Sequence, residues 1–218
     1  MELMKRYQKA VDDLFQKVRD TQTETIIKAG GMIADAVANG GKIYLNDICH
    51  SIEMDSIYRG GGPIFYKKFK KEEHMDSLKK GDVLFVSSVS GRTAAVVDLA
   101  WEAMERGVTV IAFTSMEYAR QVDPVHPSDK KLYEFVTLAI DNCAPAAEAM
   151  LEVEGIEARF AAASGIASDY IMWNITSVVV EKMLEKGLTP GILKSANFPG
   201  GNDYNKQIIE PHYDKFGW

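Results

Sequence analysis

Residues 87–93 read Ser-Ser-Val-Ser-Gly-Arg-Thr, at the end of the apolar run DVLFV (82–86). Hydroxyls rotate freely enough to donate to phosphate oxygens, Gly91 lets the backbone come close, and Arg92 offers a fork of donors. A helical pattern begins at Thr93, and a helix start turns unpaired N–H groups and a partial positive charge toward an anion. The competing reading is a polar turn in which Ser90 or Thr93 caps that helix. A cap needs one hydroxyl; Ser87, Ser88, Ser90 and Thr93 supply four. His50, which closes the run KIYLNDIC, is the second candidate, for proton transfer. The four histidines show no HxH, HxxxH or HExxH spacing, so no metal site is expected. The sequence has no GxxxxGK[ST], no GxGxxG after the first strand and no GxSxG. A P-loop nucleotide site, a dinucleotide cofactor and a serine hydrolase are therefore not expected, nor any other cofactor.

The elements that must position these residues follow from periodicity. Residues 2–19 and 23–38 each carry apolar side chains at helical spacing, and Gly40-Gly41 stops the second run. Strands are predicted at KIYLN (42–46), DVLFVSS (82–88), VTVIAFT (108–114) and FVTLAID (135–141), with a weaker one at IFY (64–66). Helical segments at 51–58 and 93–106 separate them. A long helix from Ser164 to Lys186, with Ser164 as N-cap, stops at Gly187, and a short one is predicted near Tyr204–Ile209. Strands alternating with helices describe βαβ units and a mainly parallel sheet. In such a sheet ligands bind outside the carboxyl ends of the strands, where 87–93 lies.

The 218 residues, 46% hydrophobic, suffice for a large core, and the formal charge of −6 argues against a nucleic-acid partner. The lysines of YKKFKKEEH (66–74) are followed at once by acids and read as a solvated loop. Two cysteines make no disulfide framework. A charged N-terminal segment and the lack of any run of about 20 apolar residues argue for the cytoplasm and against a membrane partner.

SSVSGRT after a strand resembles the S-x-S-G-x-T signature of SIS (sugar isomerase) domains, which bind phosphosugars. VTVIAFTS (108–115) is similar to their next strand. CHSIEMDSIYRGGG (49–62), HPSDKKLYE (126–134), LEVEGIEARF (151–160) and SANFPGGNDYN (195–205) resemble ordered landmarks of one bacterial SIS subfamily. The resemblance implies an α/β fold, a three-layer αβα sandwich around a five-stranded parallel sheet of the flavodoxin type. It implies a single SIS domain over 1–218, with N-terminal helices (1–40), an αβα core (41–190) and a tail (191–218). It also implies a homodimer or homotetramer with sites near subunit interfaces. Carried over by position, Ser88, Ser90, Gly91 and Thr93 would hold the phosphate of a sugar phosphate, and Ser51 would reach the ligand from the first crossover. Glu154 matches a glutamate that SIS isomerases use as base, with His50 as its helper. The implied reaction is aldose–ketose isomerisation through an enediolate. Alternatives are a phosphosugar lyase, since SGRT also resembles N-acetylmuramic acid 6-phosphate etherases, and a non-catalytic phosphosugar sensor. Relatives carry G-x-G-x-S after the first strand. Here the stretch is Asp47-Ile48-Cys49-His50-Ser51, which places Asp47 among the ligand-facing residues and a carboxylate near the anion.

Overall fold

The computed structural model describes residues 1–50 and 53–216, with side chains left out at Glu210 and at 212–216. Ser51 lies outside the described residues. Five strands, β1 (Ile43–Leu45), β2 (Tyr66–Lys68), β3 (Val83–Ser87), β4 (Thr109–Thr114) and β5 (Leu138–Asp141), form one parallel sheet in the order β2-β1-β3-β4-β5. This is the flavodoxin-type order, whose switch point lies between β1 and β3.

The strands read as unbroken apolar runs because both faces are covered. Ile43, Leu45, Val83, Phe85, Ile111, Phe113 and Ile140 point into one core, under α1 (Glu2–Ala38) and α6 (Ser164–Glu185). Tyr44, Leu84, Val86, Val110 and Ala112 point into the other, under α4 (Ala94–Glu105). The alternation is the period-2 signature of a strand, and the three layers are those the resemblance implied. Between these elements lie α2 (Glu53–Ser56), α3 (Lys71–His74) and α5 (Met116–Ala119), and α7 (Gly201–Phe216) ends the chain.

Four expectations change. The two N-terminal helices are one helix of 37 residues. The hydroxyls of Thr21 and Thr23 do not cap a new start; they donate to the carbonyls of Lys17 and Arg19, at 2.7 and 2.6 Å, which carries the helix through. Nor is that helix an appendage, since it shares a layer with α6. Gly30 is their contact point: a Cβ there would stand 2.5 Å from Val178 Cγ1. Second, the lysine-rich segment is not all loop: it begins with the edge strand β2 and continues into α3. Lysines on a sheet edge discourage pairing with other chains. Third, LEVEGIEARF folds as an antiparallel hairpin, β6 (Ala149–Val153) with β7 (Ile156–Ala162). Fourth, the terminal helix starts at Gly201 and continues through Pro211.

Candidate functional site

At the β1/β3 switch point a cavity of about 500 Å³ is lined by two groups of residues. One wall is the hydroxyl loop: Ser87, Ser88, Val89, Ser90 and Thr93, with Val96 behind. The other comprises Asp47, Cys49 and His50 from the loop after β1, with Ala147 and Glu148 from the approach to β6. A larger groove of about 670 Å³ between α1 and α6 is lined by Ile26, Ile27, Val178 and Leu184 among others. Its two hydroxyls, Thr23 and Ser177, donate to carbonyls of their own helices, Arg19 and Trp173.

The hydroxyl wall is firmly fixed. Gly91 takes φ +69°, and a Cβ on it would meet Thr114 Oγ1 at 3.2 Å and Ala119 Cβ at 3.3 Å. This glycine answers both a left-handed turn and a close approach. Its N–H donates to the Ser88 carbonyl at 2.8 Å, and its carbonyl accepts from the Leu132 N–H at 2.8 Å. The Val89 carbonyl accepts from the Ser115 N–H at 2.9 Å and from the Thr114 hydroxyl at 3.3 Å. The segment HPSDKKLYE thereby acts as a buttress. His126 Nε2 lies 2.8 Å from Asp98 on α4, and Lys131 Nζ donates to the carbonyls of Ala119 and Val122 at 2.7 and 3.0 Å.

Thr93 stands at the N-cap of α4, yet its side chain makes no cap bond. Its Oγ1 lies 2.9 Å from Ser88 Oγ, and its N–H donates to that same oxygen at 3.3 Å. The simple capping role is therefore not what Thr93 does. The hydroxyls instead cluster at the helix start, where the first-turn amides have no carbonyl of the helix to bond. Ser87 looks the other way. It accepts from the Cys49 N–H at 2.8 Å and donates to the Asp47 carbonyl at 3.3 Å, bolting the two walls together. Arg92 does not line the cavity.

The second wall is strained. Asp47 (φ 34°), Cys49 (φ 38°), His50 (φ 68°), Ala147 (φ 58°) and Glu148 (φ 72°) all adopt left-handed backbone without being glycine. They are five of the nine such residues among those described, and all five line this cavity. Each costs about 1–2 kcal/mol, somewhat less for aspartate, and such strain persists only where the surroundings enforce it. The enforcers are visible. The Ile48 N–H donates to the buried Glu53 carboxylate at 3.2 Å, and Glu53 also pairs with Lys68 Nζ at 3.3 Å. Cys49 Sγ accepts from the Ser168 hydroxyl at 3.1 Å, and burial pushes its thiol pKa up, which leaves it a neutral thiol at pH 7.

Glu148 is the residue that reasoning from sequence missed. Its Oε2 accepts from the Ser164 hydroxyl at 2.6 Å, and its Oε1 faces His50 Nε2 at 3.8 Å. Ser164, expected as the N-cap of α6, follows the N-cap Ala163 and uses its hydroxyl to orient this carboxylate. Glu154 is elsewhere. It sits exposed in the hairpin turn, beyond the five residues of β6. At a strand's rise of about 3.3 Å per residue the six steps from Glu148 come to about 20 Å. Its neighbour Ile156 is itself 56% exposed, so the apolar surroundings expected of a tuned base are absent there. The structure thus brings Asp47, His50, Ser88, Ser90 and Thr93 to one cavity, with Gly91 shaping its loop, and leaves Glu154 out of it within the chain.

Comparison with known proteins gives the family and the fold. The family model of the SIS domain matches residues 62–115, which include the hydroxyl loop. The UPF0309 protein of Oceanobacillus iheyensis is 33% identical over 99% of this chain and 98% of its own length. The chain belongs to the UPF0309 family of SIS-domain proteins. A second UPF0309 protein, from Shouchella clausii, is 30% identical over 97% of each chain. The fold of the UPF0309 chain is also that of phosphoheptose isomerase from Neisseria gonorrhoeae. The two are 14% identical with a TM-score of 0.55, covering 83% of this chain and 97% of the other. An E. coli protein solved as a ligand complex gives a TM-score of 0.51 at 16% identity, covering 85% of this chain and 90% of its own.

Proposed function

We propose that this protein binds a phosphorylated sugar at the β1/β3 switch point and interconverts its aldose and ketose forms. The observation that carries the reading is one cavity with a hydroxyl-lined helix start on one wall and an oriented carboxylate on the other. Ser88, Ser90 and Thr93 hold the phosphate, with the loop shaped by Gly91 and the first amides of α4. Glu148 is the base in place of Glu154. Held by Ser164, it takes the proton at C2 of the open-chain aldose; the C–H electron pair forms the C1=C2 bond of an enediolate as charge moves onto O1, the O2 proton passes to O1, and the proton on Glu148 returns to C1 as C2 becomes the carbonyl. His50, its imidazole beside Glu148, serves the oxygen on which charge develops. Support comes from the phosphoheptose isomerase that shares the fold and from the SIS family match.

Incubation with a panel of sugar phosphates in deuterated water tests the reaction. The expected result is exchange of the C2 proton, seen by NMR, together with isomer formation. Glu148→Gln should slow exchange about 10²–10⁴-fold, the usual worth of a positioned base, while ligand-induced thermal stabilisation persists. Exchange with loss of a substituent in place of isomer formation would point to a lyase. Binding without any exchange would make the protein a sensor. The expected homo-oligomer is part of the same reading: Leu3, Met4 and Tyr7 lie exposed along the first turns of α1. Light scattering at a monomer mass of 24.2 kDa would refute it. No helix among the described residues is long and apolar enough to cross a membrane.

A further inference from the structure

We propose that Tyr118 recognises the sugar: its ring covers the carbon body of the ligand while the hydroxyl loop takes the phosphate. The inference rests on the phosphosugar reading above and deepens it, assigning the part of the ligand that neither wall engages. Tyr118 belongs to α5 and lines the switch-point cavity, half-buried. Apart from the His50 imidazole, it is the one aromatic side chain among the described lining residues. A sugar exposes C–H bonds as well as hydroxyls, and its C–H surface gains by leaving water for an apolar partner. The hydroxyls and carboxylates of the two walls serve the polar half of that surface. Val89, Val96 and Ala147 offer small aliphatic groups, whereas a tyrosine ring offers a broad apolar face with a polar tip.

The segment that carries Tyr118 is tied to both walls. The Ser115 N–H donates to the Val89 carbonyl of the hydroxyl loop at 2.9 Å. The Ser115 hydroxyl, fully buried, donates to the Ala144 carbonyl at 2.6 Å, on the chain leading to Glu148. The same oxygen accepts from the Tyr118 N–H at 3.1 Å. Glu117 adds a second tie to that chain. Its Oε1 accepts from the Ala146 N–H at 3.1 Å, and its Oε2 lies 3.5 Å from Lys17 Nζ on α1. A helix of four residues has little stability of its own, so these bonds set where Tyr118 stands. That place is between the phosphate loop and the carboxylate, the span that a bound sugar's carbons must cross. With two side-chain torsions to fix, a tyrosine held at its backbone gives contact area at low entropic cost.

Calorimetry on the full-length protein provides the test, with the 6-phosphates of glucose, galactose, mannose and fructose and with inorganic phosphate as ligands. Tyr118→Leu should weaken the tightest-binding sugar phosphate about tenfold or more while leaving inorganic phosphate within about twofold. Tyr118→Phe keeps the ring and should bind the sugar phosphate within about threefold of the parent. Parental affinity of Tyr118→Leu for the sugar phosphate overturns the inference. An equal loss for sugar phosphate and inorganic phosphate overturns it too, since the change would then act on the phosphate loop. So does a Tyr118→Phe variant as weak as Tyr118→Leu, which would move recognition from the ring to the hydroxyl. Each of these leaves the phosphosugar reading standing. Failure of every sugar phosphate to bind the parent overturns that reading itself.

Discussion

The two walls of the cavity reach similar positions by opposite means. The hydroxyl loop, 87–93, makes its tight turn with a single left-handed residue, and that residue is Gly91. The loop after β1 turns with Asp47, Cys49 and His50, all left-handed and none of them glycine. The first conformation is close to what its sequence prefers. The second is imposed by Glu53, Ser87 and Ser168 from outside. The G-x-G-x-S pattern that this stretch resembles has glycine at two of those positions, where left-handed backbone costs least. A fold can thus hold a loop shape fixed while side chains are added to it, provided neighbouring hydrogen bonds absorb the strain. What the additions gain here is a carboxylate and a thiol on a wall that glycine would have left bare.

Three variants break or sharpen this contrast. The largest effect should come from removing the chemistry of the relaxed wall. Replacing Ser88 and Thr93 together by alanine should cost about 1–3 kcal/mol of sugar phosphate affinity per lost charge-assisted bond, read by calorimetry. Unchanged affinity would reduce them to turn residues. Next, Gly91→Ala imposes on the relaxed wall the strain that the other wall already carries. The left-handed backbone and the 3.2 Å approach to Thr114 should together cost about 2 kcal/mol. For a chain of this length that is a fall in Tm of about 4–8 °C. Smallest is the converse change on the strained wall, Ala147→Gly, which should relieve left-handed strain and raise stability by about 1 kcal/mol or less, offset by the added freedom of the unfolded chain. A marked loss of stability in that variant would mean that the Ala147 backbone carries no strain.

The relaxed wall was legible in the sequence and the strained one was not, for a physical reason. Parallel strands buried on both faces must be apolar throughout, so KIYLN, DVLFV and VTVIAF announce themselves. A phosphate loop needs hydroxyls and glycine in one short stretch, which is local information. Glu148 carries no such local mark. It is one acid among Glu148, Glu152, Glu154 and Glu157, and only the Ser164 hydroxyl, sixteen positions on, sets it apart. The β6–β7 hairpin had a readable signal in Glu154-Gly155 between runs rich in β-propensity. The break expected around Thr21 failed because a threonine hydroxyl can bond back to its own helix as well as open a new one.

The pairing of α1 with α6 also bears on the order in which this protein can mature. The helix made first, residues 2–38, needs a partner that ends only at Glu185. At about 5–20 residues per second, the ribosome delivers that partner about 7–30 s later. Throughout that interval Val18, Ile26, Ile33 and Val37, all buried in the finished molecule, lack the surface of α6 that helps to cover them. The glycine that seats the crossing, Gly30, is then a late-acting residue: enlarging it would spare the nascent helix and obstruct the final docking step.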